Sequence, residues 1–117
     1  MRNQHLCMLA LSLAMAGCAV DPVPNEQLRL TEQAVAQAHA VGATDQLAEM
    51  LLAEQKLARA QKNMTEQDYK RARVLAEEAE LDARLAESRV LTAKSQEQLA
   101  DLQVRITRLR NQLGDLQ

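Results

Sequence analysis

The stretch from Thr65 to Leu113, TEQDYKRARVLAEEAELDARLAESRVLTAKSQEQLADLQVRITRLRNQL, contains neither proline nor glycine. Nothing in it interrupts a helix. It predicts one helix from Glu66 to about Leu113, roughly 70 Å long at about 1.5 Å per residue. Thr65 and Asp68 mark its start as a capping-box-like pair, with Met64 and Tyr69 in hydrophobic-staple positions on either side. Two apolar patterns divide the stretch. Ala72, Ala76, Ala79, Ala83, Ala86, Val90 and Ala93 recur at alternating steps of four and three, a narrow stripe of small side chains that lets other helices come close. Leu75, Leu81 and Leu85 flank that stripe and are expected to add volume. Beyond residue 95 the repeat passes to Leu99, Leu102, Ile106, Leu109, Leu113 and Leu116, a heptad seam of large side chains.

Upstream, two shorter helices are expected. The first begins with Asn25 as N-cap and ends near Val41, where Gly42 can take the left-handed conformation that closes a helix. The second follows Thr44, another good cap, and stops near Asn63. Both are rich in alanine, at Ala34, Ala38, Ala53, Ala58 and Ala60, which suits packing against the small-residue stripe. The fold expected is all-α: two short antiparallel helices on the first half of one long helix, with a C-terminal coiled-coil-like extension. By this reading residues 25–94 form the alanine-rich bundle and 95–117 the heptad extension. The short helices cannot lie beside both halves of the long one, so the seam from Leu99 to Leu116 has no mate within the chain.

The N-terminal end carries a different signal. Arg2 precedes an apolar run from Leu6 to Ala16, too short for a bilayer, which needs about 20 residues. Met15-Ala16-Gly17-Cys18 resembles the lipobox of bacterial lipoproteins, with Met15 where leucine is commonest. The resemblance implies a signal peptide over residues 1–17, cleavage between Gly17 and Cys18, and acylation of Cys18, so that the membrane is engaged through acyl chains. Each buried methylene contributes about 0.8 kcal/mol, so two or three chains anchor stably where one binds reversibly. Ala19, in place of the aspartate that retains such proteins at the inner membrane, implies the periplasmic face of the outer membrane. Residues 18–24 then form a lipidated N-terminus and tether. Pro22 and Pro24 keep it extended, with a reach of about 20 Å. Cys7 would leave with the leader, and Cys18 would be the lone thiol.

Composition narrows the function. The 117 residues include one Tyr and no Trp or Phe, so any core is thin and built from Ala, Leu, Val and Met. Net charge is -2, without the basic surface of a nucleic-acid binder. Arg105, Arg108 and Arg110 do not supply one. His39 stands near the end of the first helix, where a cation favours the helix dipole, and it has no companion ligands for a metal site. Glu77, Glu78, Glu80 and Asp82 run along a helix, where successive carboxylates diverge, so they read as a solvated face. No phosphate loop, nucleophile motif, cofactor or metal site is expected, and the chain reads as a non-enzyme.

The segment from Glu66 to Ala86, with its Tyr69 and repeated Ala-Glu and Ala-x-x-Ala steps, resembles the signature of the small bacterial lipoproteins grouped as domain of unknown function 4398. Such domains also occur beside peptidoglycan-binding domains of the OmpA type, which implies an envelope setting. Two functions are open on this reading. One is a structural or adaptor lipoprotein acting through helix contacts with itself or with an envelope partner such as an OmpA-type protein. The other is a helical-repeat-like periplasmic module that binds a protein or peptidoglycan, since Glu-Gln-x-x-Ala-x-Ala occurs at Glu32 and again at Glu54. A wall linkage like that of the major murein lipoprotein is not expected, because that protein uses a C-terminal lysine and the last lysine here is Lys94.

Overall fold

The computed structural model describes residues 21–114. Three helices follow in order, α1 Asn25–Ala40, α2 Ala48–Thr65 and α3 Tyr69–Gly114. The expected all-α architecture is the one observed: α1 and α2 pack on the first part of α3 and only thinly on each other.

The helix ends show where local chemistry departs from expectation. Asn25 does not cap α1. Pro24 takes the N-cap position without a side-chain bond, and its carbonyl accepts from Leu28 N at 3.0 Å. At the other end Gly42 has φ +99°, Ala43 N donates to Ala38 O at 2.9 Å and Gly42 N donates to His39 O at 2.8 Å. These two bonds make a Schellman closure, which satisfies carbonyls that a helix end leaves free. The apolar contact that goes with it is present too, because Ala38 and Ala43 are buried in one cluster.

Thr44 does not cap α2 either. Its carbonyl accepts from Leu47 N in a turn, Leu47 becomes the N-cap, and the helix opens at Ala48. Thr65 is the last residue of α2 rather than the cap of α3, its hydroxyl donating to Lys62 O at 2.7 Å. A second Schellman closure follows, with Asp68 N on Asn63 O at 2.9 Å and Gln67 N on Met64 O at 3.2 Å. Here the left-handed position is taken by Gln67, φ 62°, where a residue bearing Cβ is held at a cost of about 1–2 kcal/mol. The cap of α3 is Asp68, whose carboxylate accepts from Arg71 N at 3.2 Å. The long helix therefore begins at Tyr69, three residues later than its sequence pattern suggests.

Interhelix bonds give the directions. Gln27 donates to Glu80 at 2.7 Å, Gln37 to Glu87 at 2.8 Å and Lys94 Nζ to Val41 O at 2.7 Å, so α1 runs parallel to α3. Glu49 pairs with Arg89 at 3.0 Å, and Lys56 with Asp82 at 2.7 Å, so α2 runs back. Asp21 and Pro22, which precede α1, lie beside Arg73 near the start of α3. The chain thus enters at one end of the bundle, and α3 leaves past the other.

The core is made of close-set small side chains. One cluster joins Ala38, Ala43, Met50, Ala53, Ala83 and Ala86; another joins Leu28, Ala60, Leu75 and Ala76. With little area per side chain, cohesion comes from dense contact rather than bulk. Fully buried Thr31 reinforces it. Its hydroxyl lies 2.8 Å from Gln27 O and 2.9 Å from Ala76 O, so its single proton serves a carbonyl of its own helix or one of α3.

Candidate functional site

The two halves of α3 differ in what covers them. Ala72, Ala76, Ala79, Ala83 and Ala86 are all fully buried beneath α1 and α2. Val90 is half-buried and Ala93 exposed, which marks where cover ends. From Leu91 to Gly114 every residue is exposed. The seam side chains Leu99, Leu102, Ile106, Leu109 and Leu113 keep 49–65% of their surface open to solvent. Leu116 lies outside the described residues, as do Gly17 and Cys18.

The N-terminal half holds a departure as well. Leu81 and Leu85, expected to fill the bundle, are 68% and 45% exposed, and Val74 is 47% exposed. They face away from α1 and α2. Ala58 is also exposed, unlike Ala53 and Ala60.

The exposed helical extension survives without cover for a physical reason. A helix is costly to nucleate and easy to prolong. The packed half of α3 provides the nucleus, and Ser95 to Gly114 adds good helix formers turn by turn. Asp101 and Arg105 support it with an i to i+4 ion pair at 2.7 Å, worth a few tenths of a kcal/mol, about 0.2–0.5.

The chemically versatile side chains are occupied in holding helices together. His39 Nε2 lies 2.8 Å from Glu54 Oε1 and its Nδ1 lies 3.1 Å from Ala43 O. The ring joins the end of α1 to α2. Of the acidic run, Glu77 and Glu78 are exposed, but Glu80 accepts from Gln27 and Asp82 binds Lys56. Glu78 also lies 3.2 Å from Lys56, so three of the four carboxylates fasten α3 to a neighbouring helix rather than forming a solvated face. The Asp82 carboxylate, opposed by desolvation and aided by Glu78, holds the Lys56 ammonium above the ordinary lysine range. Tyr69 is half-buried at the first position of α3. Among the described residues no group of three His, Cys, Asp or Glu side chains is placed to hold a metal ion. No helix among them is long and apolar enough to cross a membrane. A shallow hollow from Ala100 to Gln112 is lined by α3 alone, so it is an open helix face rather than a cleft with two walls.

These features define an all-helical packing module whose outward chemistry is an apolar helix face. The sequence matches the family described as domain of unknown function (DUF4398) over residues 26–102. It is similar to the crystal structure of a DUF4398 family protein from Pseudomonas aeruginosa, at 61% identity and a TM-score of 0.79, over 82% of this chain and 100% of that one. No curated protein matches. The chain belongs to the DUF4398 family, and no enzymatic family is indicated. The family match ends at residue 102, so Ile106, Leu109 and Leu113 lie beyond it.

Proposed function

We infer that the protein is a lipid-anchored structural or adaptor component of the bacterial envelope, a non-enzyme that acts by helix-helix contact along the free face of α3. The observation that carries this reading is the exposed row Leu99, Leu102, Ile106, Leu109 and Leu113 on a helix whose first half is buried by its own chain. Five large apolar side chains in heptad register make a strip that water covers poorly and another helix covers well.

The anchor in this reading is Cys18, acylated after cleavage at Gly17-Cys18. The tether enters beside Arg73, at the far end of the bundle from the strip, so the anchor and the strip lie toward opposite ends of α3. The location that fits is the periplasmic face of the outer membrane.

Two measurements test the two halves of the reading. Palmitate labelling should mark the wild type, and Cys18→Ser should lose both the label and sedimentation with membranes. Crosslinking in cells from positions 99, 102, 106 and 109 should give discrete adducts that positions 101 and 108, off the strip, do not. An unlabelled wild type would remove the anchor. Equal crosslinking from all positions would remove the contact surface.

A further inference from the structure

The heptad of the exposed strip continues backward through the whole of α3. In steps of seven, Leu99 leads to Thr92, Leu85 and Glu78, and Leu102 leads to Ser95, Ser88, Leu81 and Val74. All of these are exposed. On the wheel of a heptad they lie opposite Ala72, Ala76, Ala79, Ala83 and Ala86, all fully buried. The long helix therefore carries two opposed apolar faces. One is covered by α1 and α2; the other is exposed from Val74 to Leu113, touched only at Glu78, which pairs with Lys56 of α2 at 3.2 Å.

We propose that the exposed face joins two copies of the chain through an antiparallel pairing of α3, with Leu113 of one copy over Leu81 of the other and Leu109 over Leu85. This rests on the reading above, in which the free face of α3 is where the protein acts. It adds the occupant, its direction and its register.

Charge selects the direction. In a parallel, in-register pair the flanking positions would set Glu77 beside Asp82, Arg84 beside Arg89, and Arg105 beside Arg110 of the second copy. Those are like-charge contacts, and Glu78 would also meet its own copy across the seam. In the antiparallel register Asp82 stands beside Arg110 of the second copy, twice by symmetry. Arg84, Arg89 and Arg105 meet Gln112, Gln103 and Leu91. No like charges face each other, and Lys56 already holds Asp82 at the edge of the face.

Size fits the same register. Ile106, Leu102 and Leu99 fall opposite Ser88, Thr92 and Ser95, so the polar break in the middle of the stripe becomes the recess that takes the large residues. Burial of Ser88 leaves no orphan donor, because its hydroxyl bonds Leu85 O within the helix at 2.9 Å. α1 and α2 bury the alanine face of α3, and α2 reaches the edge of the proposed interface only through Lys56 on Glu78 and Asp82 and Glu49 on Arg89. A heptad stripe on a helix of 3.6 residues per turn drifts by about 20° per heptad, so the pair winds left-handed.

The overlap from Leu81 to Leu113 is about 50 Å long. Each tether leaves beside its own Arg73, so the two tethers sit at opposite ends of the rod, roughly 70 Å apart. With both Cys18 residues in one bilayer, the dimer lies along the surface instead of standing on it.

Single-cysteine disulfide mapping tests this on residues 19–117, which contain no cysteine. The solved relative, matched over its whole length by 82% of this chain, takes the same helical fold in its crystal, so a chain of this extent suffices for the fold. The expected result is a dimer in sedimentation in which Gln98→Cys bonds to its own copy. Ser88→Cys should form a disulfide with Ile106→Cys in a mixture, while neither does so alone. Leu109→Asp should give a monomer with an unchanged helical spectrum. A disulfide in Ser88→Cys alone would mean a parallel pair, and one in Ile106→Cys alone a short overlap of the extensions only. Either overturns the register proposed. A monomer without crosslinks at millimolar concentration overturns the second copy as occupant. That last result leaves the functional reading intact if the crosslinks from positions 99–109 persist in cells, and the reading falls separately if they do not.

Discussion

Residues 69–93 and 95–114 of α3 belong to one uninterrupted helix and differ in nearly everything else. The first half presents five alanines, Ala72 to Ala86, to two neighbours and buries them completely; the second presents leucines and isoleucine to water. Volume and burial are thus inverted, with the small side chains inside and the large ones outside. The inversion has a geometric cause. Three helices of one chain share the first half, and only small residues let two of them approach the same helix closely. The second half has no such crowding and can carry large residues for a contact made elsewhere. A composition count would have placed the leucines in the core.

The sharpest way to break this contrast is to make the same substitution in both halves. Ala83→Leu forces a large side chain into the cluster with Ala38, Met50 and Ala53, and overpacking of that kind should cost about 3 kcal/mol in a denaturant titration. Ala100→Leu, on exposed helix, should change stability by no more than about 0.5 kcal/mol. Equal effects would mean that the alanine stripe is not tightly packed. Next in size is Thr31→Val, which removes the buried hydroxyl beside Ala76 O and keeps the shape. The expected loss is about 1 kcal/mol, measured as a lower Tm.

Gln67→Gly works in the other direction. It relieves the left-handed strain at the close of α2 and should stabilise the bundle by up to about 1 kcal/mol, part of the relief being lost to the freer unfolded chain. No change in stability would show that Gln67 is not strained. Lys56→Met has the smallest expected effect among the bundle substitutions, below about 1 kcal/mol, since the pair with Asp82 is partly solvated. Because the Lys56 pKa is raised on folding, its contribution is complete below the ordinary lysine range and disappears as pH climbs through the raised value. Wild type and variant should therefore differ in Tm at neutral pH and converge at strongly alkaline pH. A difference that grows with pH would contradict the ion pair.

Much of this organisation is legible in the sequence. The absence of proline and glycine between Asp68 and Leu113 gives α3, and the steps of four and three give both of its stripes. Gly42 marks the end of α1 because glycine is the usual residue for a left-handed closure. The matching closure after α2 is hidden, since Gln67 takes that role without being glycine. Thr65 then looks like a cap when it is the final turn of the preceding helix. The outward turn of Leu81 and Leu85 was also present in the spacing, as both lie in register with Leu99 and Leu102. Ser88, Thr92 and Ser95 interrupt the stripe and disguise its continuity. The pairing of Glu80 with Gln27 and of Asp82 with Lys56 depends on which helix lies beside which, and local spacing does not carry that information.

Hydrogen exchange resolved along α3 tests the contrast between its halves most directly. Amides from Ala72 to Val90 should already be protected in dilute monomer, because α1 and α2 cover them within the chain. Amides from Leu99 to Leu113 should exchange rapidly in dilute solution and gain protection as concentration rises and the leucine strip is covered. Protection of the second half that is strong in dilute monomer, or indifferent to concentration, would contradict the account.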